Sequence, residues 1–166
     1  MAVARSSLFS VGDKVEVTAE CVSLRGALFP GEVVKVIPQE NRLQVEFDLL
    51  KPKNEKETIV REMVDECTVR PAPPAEHKND SKFAAGDIVD ALYKGGWWEG
   101  TIVHQEQHSK FTVFFRFASI QVNLDASRLR HHQEWINGAW LPPLNNNNSN
   151  GEEQCEGQPE TSAKGE

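Results

Sequence analysis

The sequence predicts an all-β protein made of two small barrels in tandem, followed by a disordered C-terminal tail. Three observations lead there. A nine-residue motif recurs at a fixed spacing, the runs between turn signals are short and rich in β-branched and aromatic residues, and the composition changes abruptly at Asn145.

The duplication organises the rest. After eight residues that read as a loose terminus, Phe9-Ser10-Val11-Gly12-Asp13-Lys14-Val15-Glu16-Val17 matches Phe83-Ala84-Ala85-Gly86-Asp87-Ile88-Val89-Asp90-Ala91 at a constant offset of 74. Further on, Gly31-Glu32-Val33-Val34 answers Gly100-Thr101-Ile102-Val103, Leu43-Gln44-Val45-Glu46-Phe47 answers Phe111-Thr112-Val113-Phe114-Phe115, and Val69-Arg70 answers Leu129-Arg130. Each unit therefore reads as four or five short strands, and no stretch keeps a helical period. Units of about 60 residues with this pattern are expected to close into barrels, which removes free sheet edges.

The expected domains are residues 9–71 and 83–142. Between them residues 72–82 form a linker, with Pro71, Pro73 and Pro74 stiffening its start and removing backbone donors. The mixed-charge stretch Lys51 to Glu57 reads as a solvated hairpin tip. After Leu129-Arg130 the second unit adds His131 to Pro143, in which Trp135 and Trp140 are expected to pack structurally across the barrels, through a short helical turn. Residues 145–166, an Asn run followed by Glu, Gln, Gly and Ser, cannot bury a core and are expected to be disordered.

Charge is unevenly placed. Of the formal −7, residues 145–166 carry −4, whereas residues 1–70 carry −2 and 83–144 carry −1. An ordered part so close to neutral lacks the basic face on which non-specific nucleic-acid binding depends. Cys21, Cys67 and Cys155 are widely spaced, with no Cys-x-x-Cys pair and no matching histidine spacing, so neither a disulfide framework nor a metal site is expected. Residues 1–20 hold no uninterrupted apolar run and include Asp13, Lys14 and Glu16, so no signal peptide, membrane span or membrane partner is expected and the reading is an intracellular soluble protein. The sequence has no Gly-x-Ser-x-Gly, phosphate loop or supported pair of acids; no catalytic residues, enzyme activity or cofactor are expected. His131-His132 has no accompanying nucleophile and reads as surface or interdomain histidine.

The functional lead is the stretch from Tyr93 to Gly100. Gly95-Gly96 is expected to turn the chain, and Trp97 and Trp98 follow at once on the departing strand. Neighbours on a strand face opposite ways. One indole is therefore expected in the core and the other at the surface beside Tyr93, where an aromatic face meets a ligand.

Three motifs carry a family resemblance: Phe-x-x-Gly-Asp-x-Val-Asp-Ala at 83–91, Gly-Trp-Trp-Glu-Gly at 96–100 and Leu-Arg-x-His-x-x-Trp at 129–135. With the repeat, they make the chain resemble a tandem pair of plant Agenet domains, the Tudor-like branch of the Royal family, from about Phe9 to Pro142. The resemblance implies bent, five-stranded SH3-like or Tudor-like barrels, a nuclear location, other chromatin proteins as company, and histone tails with methylated lysine as partner. A methylated ammonium is bulky, weakly hydrated and still positive, so aromatic faces attract it by roughly 0.5–2 kcal/mol per ring. Carried onto this sequence, the cage draws on Tyr93, Trp98 and Phe115, with Phe117, two residues further on the same strand face, as a fourth wall. Strict alternation would turn Trp98 inward with Gly100 and Ile102. Departure from alternation at a barrel mouth favours Trp98, with Trp97 its rival. The corresponding places in the first unit hold Ala19, Phe29 and Phe47, so one wall is missing there; Asp90 and Glu99 flank the turn and are candidates for attracting a cation.

Two other function classes stay open. The barrel type also suits an RNA- or DNA-binding module, for which Arg116, Arg128, Arg130, His131 and His132 form a local basic patch. It equally suits a scaffold that grips unmodified protein segments. Barrel core is the competing reading for Tyr93, Trp98 and Phe115.

Overall fold

The repeated Phe-x-x-Gly-Asp motif builds the same turn twice. The Asp13 carboxylate accepts the Ser10 N–H at 2.9 Å and the Asp87 carboxylate accepts the Ala84 N–H at 2.8 Å. Gly12 and Gly86 take φ of 94° and 93°, which a Cβ would resist. The computed structural model describes residues 6–19, 26–48, 59–74 and 82–142. The expected hairpin tip at 51–57, most of the linker and the tail at 145–166 lie outside the described residues.

The first unit holds β1 (Lys14–Thr18), β2 (Leu28–Ile37), β3 (Arg42–Phe47), β4 (Arg61–Asp65) and β5 (Val69–Pro71). In the second are β6 (Ile88–Tyr93), β7 (Gly96–Gln105), β8 (Lys110–Phe115), β9 (Ile120–Asp125) and β10 (Leu129–His131). Antiparallel pairing runs β5-β1-β2-β3-β4 and β10-β6-β7-β8-β9. The register slips between Val33 and Lys35 in β2 and, at the equivalent place, between Ile102 and His104 in β7. Such bulges bend a long strand, so that its first half serves one neighbour and its second half another. The fold class is as expected: all-β, two bent five-stranded units. Closure differs in detail. Among the described residues β4 pairs only with β3 and β9 only with β8, and 3-10 turns at Glu66–Thr68 and Ala126–Arg128 lead from the fourth strand of each unit to the fifth.

Alternation along these strands fills two cores. One gathers Phe9, Val15, Val17, Val33, Leu43, Val45, Phe47 and Val69. The other gathers Phe83, Val89, Ala91, Ile102, Phe111, Val113, Phe115, Leu124 and Leu129. The sheets, by contrast, are not separate: β2 and β7 pair at Leu28↔Trp97, joining ten strands in one ladder. The reason lies in the bent strands. Residues 28–30 have β1 on one side but precede the start of the β3 ladder at Gly31, and residues 96–100 likewise precede the β8 ladder at Thr101. Each unit thus leaves one short open edge, and the two edges cover one another. Leu28 and Trp97 are equivalent positions in the repeat, so the junction lies on a pseudo-two-fold axis.

Beyond β10 the chain forms a hairpin, β11 (Glu134–Ile136) and β12 (Ala139–Leu141), rather than the expected helical turn. Asn137 and Gly138, with φ of 50° and 80°, make the two-residue loop that matches strand twist. Trp135 and Trp140 are cross-strand partners with ring centroids 5.1 Å apart, both half-buried. Arg70 of the first unit lies 5.2 Å over Trp140 and donates to the Gln133 carbonyl at 2.8 Å, which fastens the hairpin across the units.

Candidate functional site

Tyr93 pairs with Gly96, which leaves Lys94 and Gly95 as the two loop residues, with φ of 47° and 85°. The expected Gly95-Gly96 turn is therefore displaced by one residue, and Gly96 is the first residue of β7. The aromatics are aimed otherwise than expected: the indole beside Tyr93 is the inward one and not the surface one, because residues directly opposite on an antiparallel pair share a face. The pairs Tyr93↔Gly96, Ala91↔Trp98 and Val89↔Gly100 thus put Tyr93 and Trp98 together on the inward face at the rim of the second core.

The expected departure of Trp98 from alternation at the barrel mouth does not occur: the β6–β7 register is unbroken, and it is the inward placement that brings Trp98 to Tyr93. Its indole Nε1–H donates to the Tyr93 carbonyl at 2.9 Å, which satisfies the donor and fixes the ring. Phe115 stacks on Tyr93 with centroids 5.5 Å apart and planes at 23°. It is only 3% exposed, so it backs Tyr93 as part of the core and opens little surface to a ligand. On Tyr93 the Lys94 ammonium lies 5.3 Å from the ring centroid.

The remaining candidates divide. Phe117 does not continue the strand face: β8 ends at Phe115, and Phe117 stands in the following turn, 66% exposed, its ring 3.4 Å from where a Cβ on Gly26 would be. Trp97 faces the other way, with the Arg130 guanidinium 4.0 Å over its ring, and that guanidinium is fixed there by its hydrogen bonds to Glu16 and Asp90. Asp90 is buried among cationic partners and does not offer its charge to a ligand. Glu99 is exposed, 3.7 Å from His132 Nε2. Phe47 belongs to the first core, whereas Phe29 is half-buried at the junction, its ring edge against Gly96 of the second unit.

The Agenet domain family model matches residues 12–74, which is the first unit. Over the whole tandem, the crystal structure of Arabidopsis thaliana AGDP1 AGD34 superposes with a TM-score of 0.71 at 31% identity, covering 82% of this chain and 90% of that one. The chain belongs to the Agenet domain family. The crystal structure of ADCP1 tandem Agenet domain 3-4 gives a TM-score of 0.67 at 32% identity, covering 82% of this chain and 89% of that one. Among curated proteins, the Arabidopsis thaliana protein AGENET DOMAIN (AGD)-CONTAINING P1 is 35% identical over 144 residues, covering 83% of this chain and 28% of the relative. DUF724 domain-containing protein 3 of the same plant is 28% identical, with 19% of its length covered. The chain thus spans less than a third of the length of these curated relatives.

Between the two Agenet units lies a set of buried charges that the repeat foreshadowed only in part. Glu16 and Asp90 are equivalent in the duplication, as are Arg70 and Arg130; the acids are 1% and 2% exposed. Within each unit acid and arginine are ladder partners, Glu16↔Arg70 and Asp90↔Arg130. They also cross over. Arg130 Nη2 donates to both Glu16 oxygens at 3.1 and 2.6 Å while its Nε donates to Asp90 at 3.2 Å, and Arg70 Nη2 lies 3.5 Å from Glu16 and 3.8 Å from Asp90. Burial lowers the Arg70 pKa from its ordinary value, and Glu16 and Asp90 oppose that shift. His132 Nδ1 meets Asp90 at 2.6 Å, and this hydrogen bond, against a cost of burial, raises the His132 pKa. Arg130 and His132 are therefore committed to the junction, which leaves Arg116 and Arg128 as the exposed members of the basic patch.

Proposed function

We propose that this chain is a non-catalytic, nuclear, chromatin-associated module that binds methylated lysine on histone tails, with Tyr93 and Trp98 as cage walls and Phe115 as their backing. The observation that carries the reading is the Lys94 ammonium 5.3 Å over Tyr93, on a rim shared with Trp98. An aromatic face that holds the chain's own ammonium has the electrostatics for a ligand's, and a methylated ammonium is the easier of the two to strip of water.

Magnitudes limit what the cage alone supplies. At roughly 0.5–2 kcal/mol per ring, two walls, and even three, fall short of the about 8 kcal/mol of a micromolar complex. Contacts along the rest of the peptide must supply the difference and the choice of lysine. The test titrates histone-tail peptides with unmodified, mono-, di- and trimethylated lysine, and single-stranded RNA, into wild-type protein and Trp98→Ala at two salt concentrations. Methylated peptide is expected to bind best, with modest salt dependence and loss on Trp98→Ala. Equal affinity for unmodified and methylated peptides would overturn the reading, as would tight RNA binding with a steep salt slope that survives Trp98→Ala.

A further inference from the structure

We propose that the aromatic site of the second unit is completed by Phe29 of the first, seated where Gly96 lacks a side chain; this rests on the methyl-lysine reading of that site. A Cβ built on Gly96 would stand 3.1 Å from Phe29 Cε1, 3.3 Å from Cζ and 3.4 Å from Cδ1. The Phe29 ring thus packs tightly against the position that a Gly96 side chain would take. That position is the direct cross-strand partner of Tyr93 and lies two residues before Trp98 on the same face. Such neighbours have Cβ atoms about 5 Å and about 7 Å away. Three rings, from Tyr93, Trp98 and Phe29, therefore border one rim, and the third comes from the other unit.

Phe29 is held there by its own unit. It pairs with Val17 across β1 and packs against the first core. Its neighbour Leu28 makes the strand junction with Trp97. The crossed ion pairs of Glu16 and Arg130 hold the units in the relative position that this wall requires. The site is a property of the tandem, and its ligand class is a methylated ammonium touched by both units.

The experiment uses the whole chain and an H3-tail peptide carrying trimethyllysine, with its unmodified counterpart as control. Phe29→Leu keeps apolar volume and removes the π face; it is expected to weaken the methylated peptide by about 2- to 30-fold while the unmodified peptide changes little, and Phe29→Tyr is expected to restore binding. Gly96→Ala leaves every ring in the chain but displaces Phe29, and is expected to weaken binding likewise. Tetramethylammonium chloride added to the wild-type chain is expected to shift the Phe29 ring protons together with the Trp98 indole N–H. Wild-type affinity in both Phe29→Leu and Gly96→Ala, with binding still lost in Trp98→Ala, would overturn the composite site and leave the cage reading standing. Wild-type affinity in Trp98→Ala would remove both. A tetramethylammonium shift at Trp98 without one at Phe29 also counts against the composite wall.

Discussion

The second unit has Gly96-Trp97-Trp98 where the first has Ala27-Leu28-Phe29, and Tyr93 where the first has Ala19. Around these differences the frames agree closely: the same Gly-Asp turn, the same bulge, the same acid and arginine in ladder register. The family model matches the first unit, yet the paired aromatics with an ammonium over them stand in the second. The frame is thus specified by residues that the two units share, and the proposed site by residues that they do not.

The sharpest way to break this division is to attack the frame where the two units share it. Arg130→Ala takes from buried Glu16 its nearest cation and leaves, among the described residues, only Arg70 at 3.5 Å, so the cost is expected to approach the about 3–5 kcal/mol of a broken buried pair. Chemical denaturation is expected to show that loss in both units at once; a change confined to the second unit would mean that the charges do not couple them. Trp140→Ala should cost less than the about 3–5 kcal/mol of a fully buried aromatic, because the indole is half-buried. A thermal melt checks this, and unchanged melting together with lost peptide binding would reassign Trp140 to the site.

Smaller effects separate site from frame. His132 has its pKa raised by Asp90, so its contribution to stability is fully present below its unfolded value of about 6.5 and is lost as pH rises through the folded value. Stability of wild type relative to His132→Gln should therefore decline across that window; a difference that grows with pH would contradict the sign. Lys94→Gln removes the internal ammonium from Tyr93, and methylated peptide should then bind about 2- to 5-fold more tightly, in line with an exposed cation–π contact. Calorimetry that found weaker binding would mean that Lys94 assists the ligand instead.

How far the sequence could reveal all this follows from what each residue does. The duplication exposed the strands, because turn glycines and alternating apolar residues act locally. Gly96 read as a turn residue, yet the turn is Lys94-Gly95, with a non-glycine at positive φ. A glycine needed for the close approach of Phe29 looks, in sequence, like one needed for its dihedrals. Phe117 read as a continuing strand residue, but β8 stops at Phe115 and the turn redirects it. The recurrence of Glu16 as Asp90 and of Arg70 as Arg130 was visible, but not that arginines and acids cross between units, because that depends on the β2–β7 junction, a contact between strands distant in sequence. Long-range register was the missing quantity for Phe29 and the crossed charges, and local turn geometry for Gly96 and Phe117.

On the proposed function the second unit's rim, and not the frame as a whole, receives a methylated lysine. The chain has four tryptophans, each with an indole N–H in a different setting: Trp98 on the rim, Trp97 under Arg130, and Trp135 and Trp140 on the C-terminal hairpin. The most direct measurement follows these four signals by nuclear magnetic resonance as trimethyllysine and unmodified histone-tail peptides are added in turn. A large shift at Trp98 with the methylated peptide, small shifts at the other three, and little response to the unmodified peptide is the predicted result. An unmoved Trp98, or the same pattern with both peptides, would contradict it.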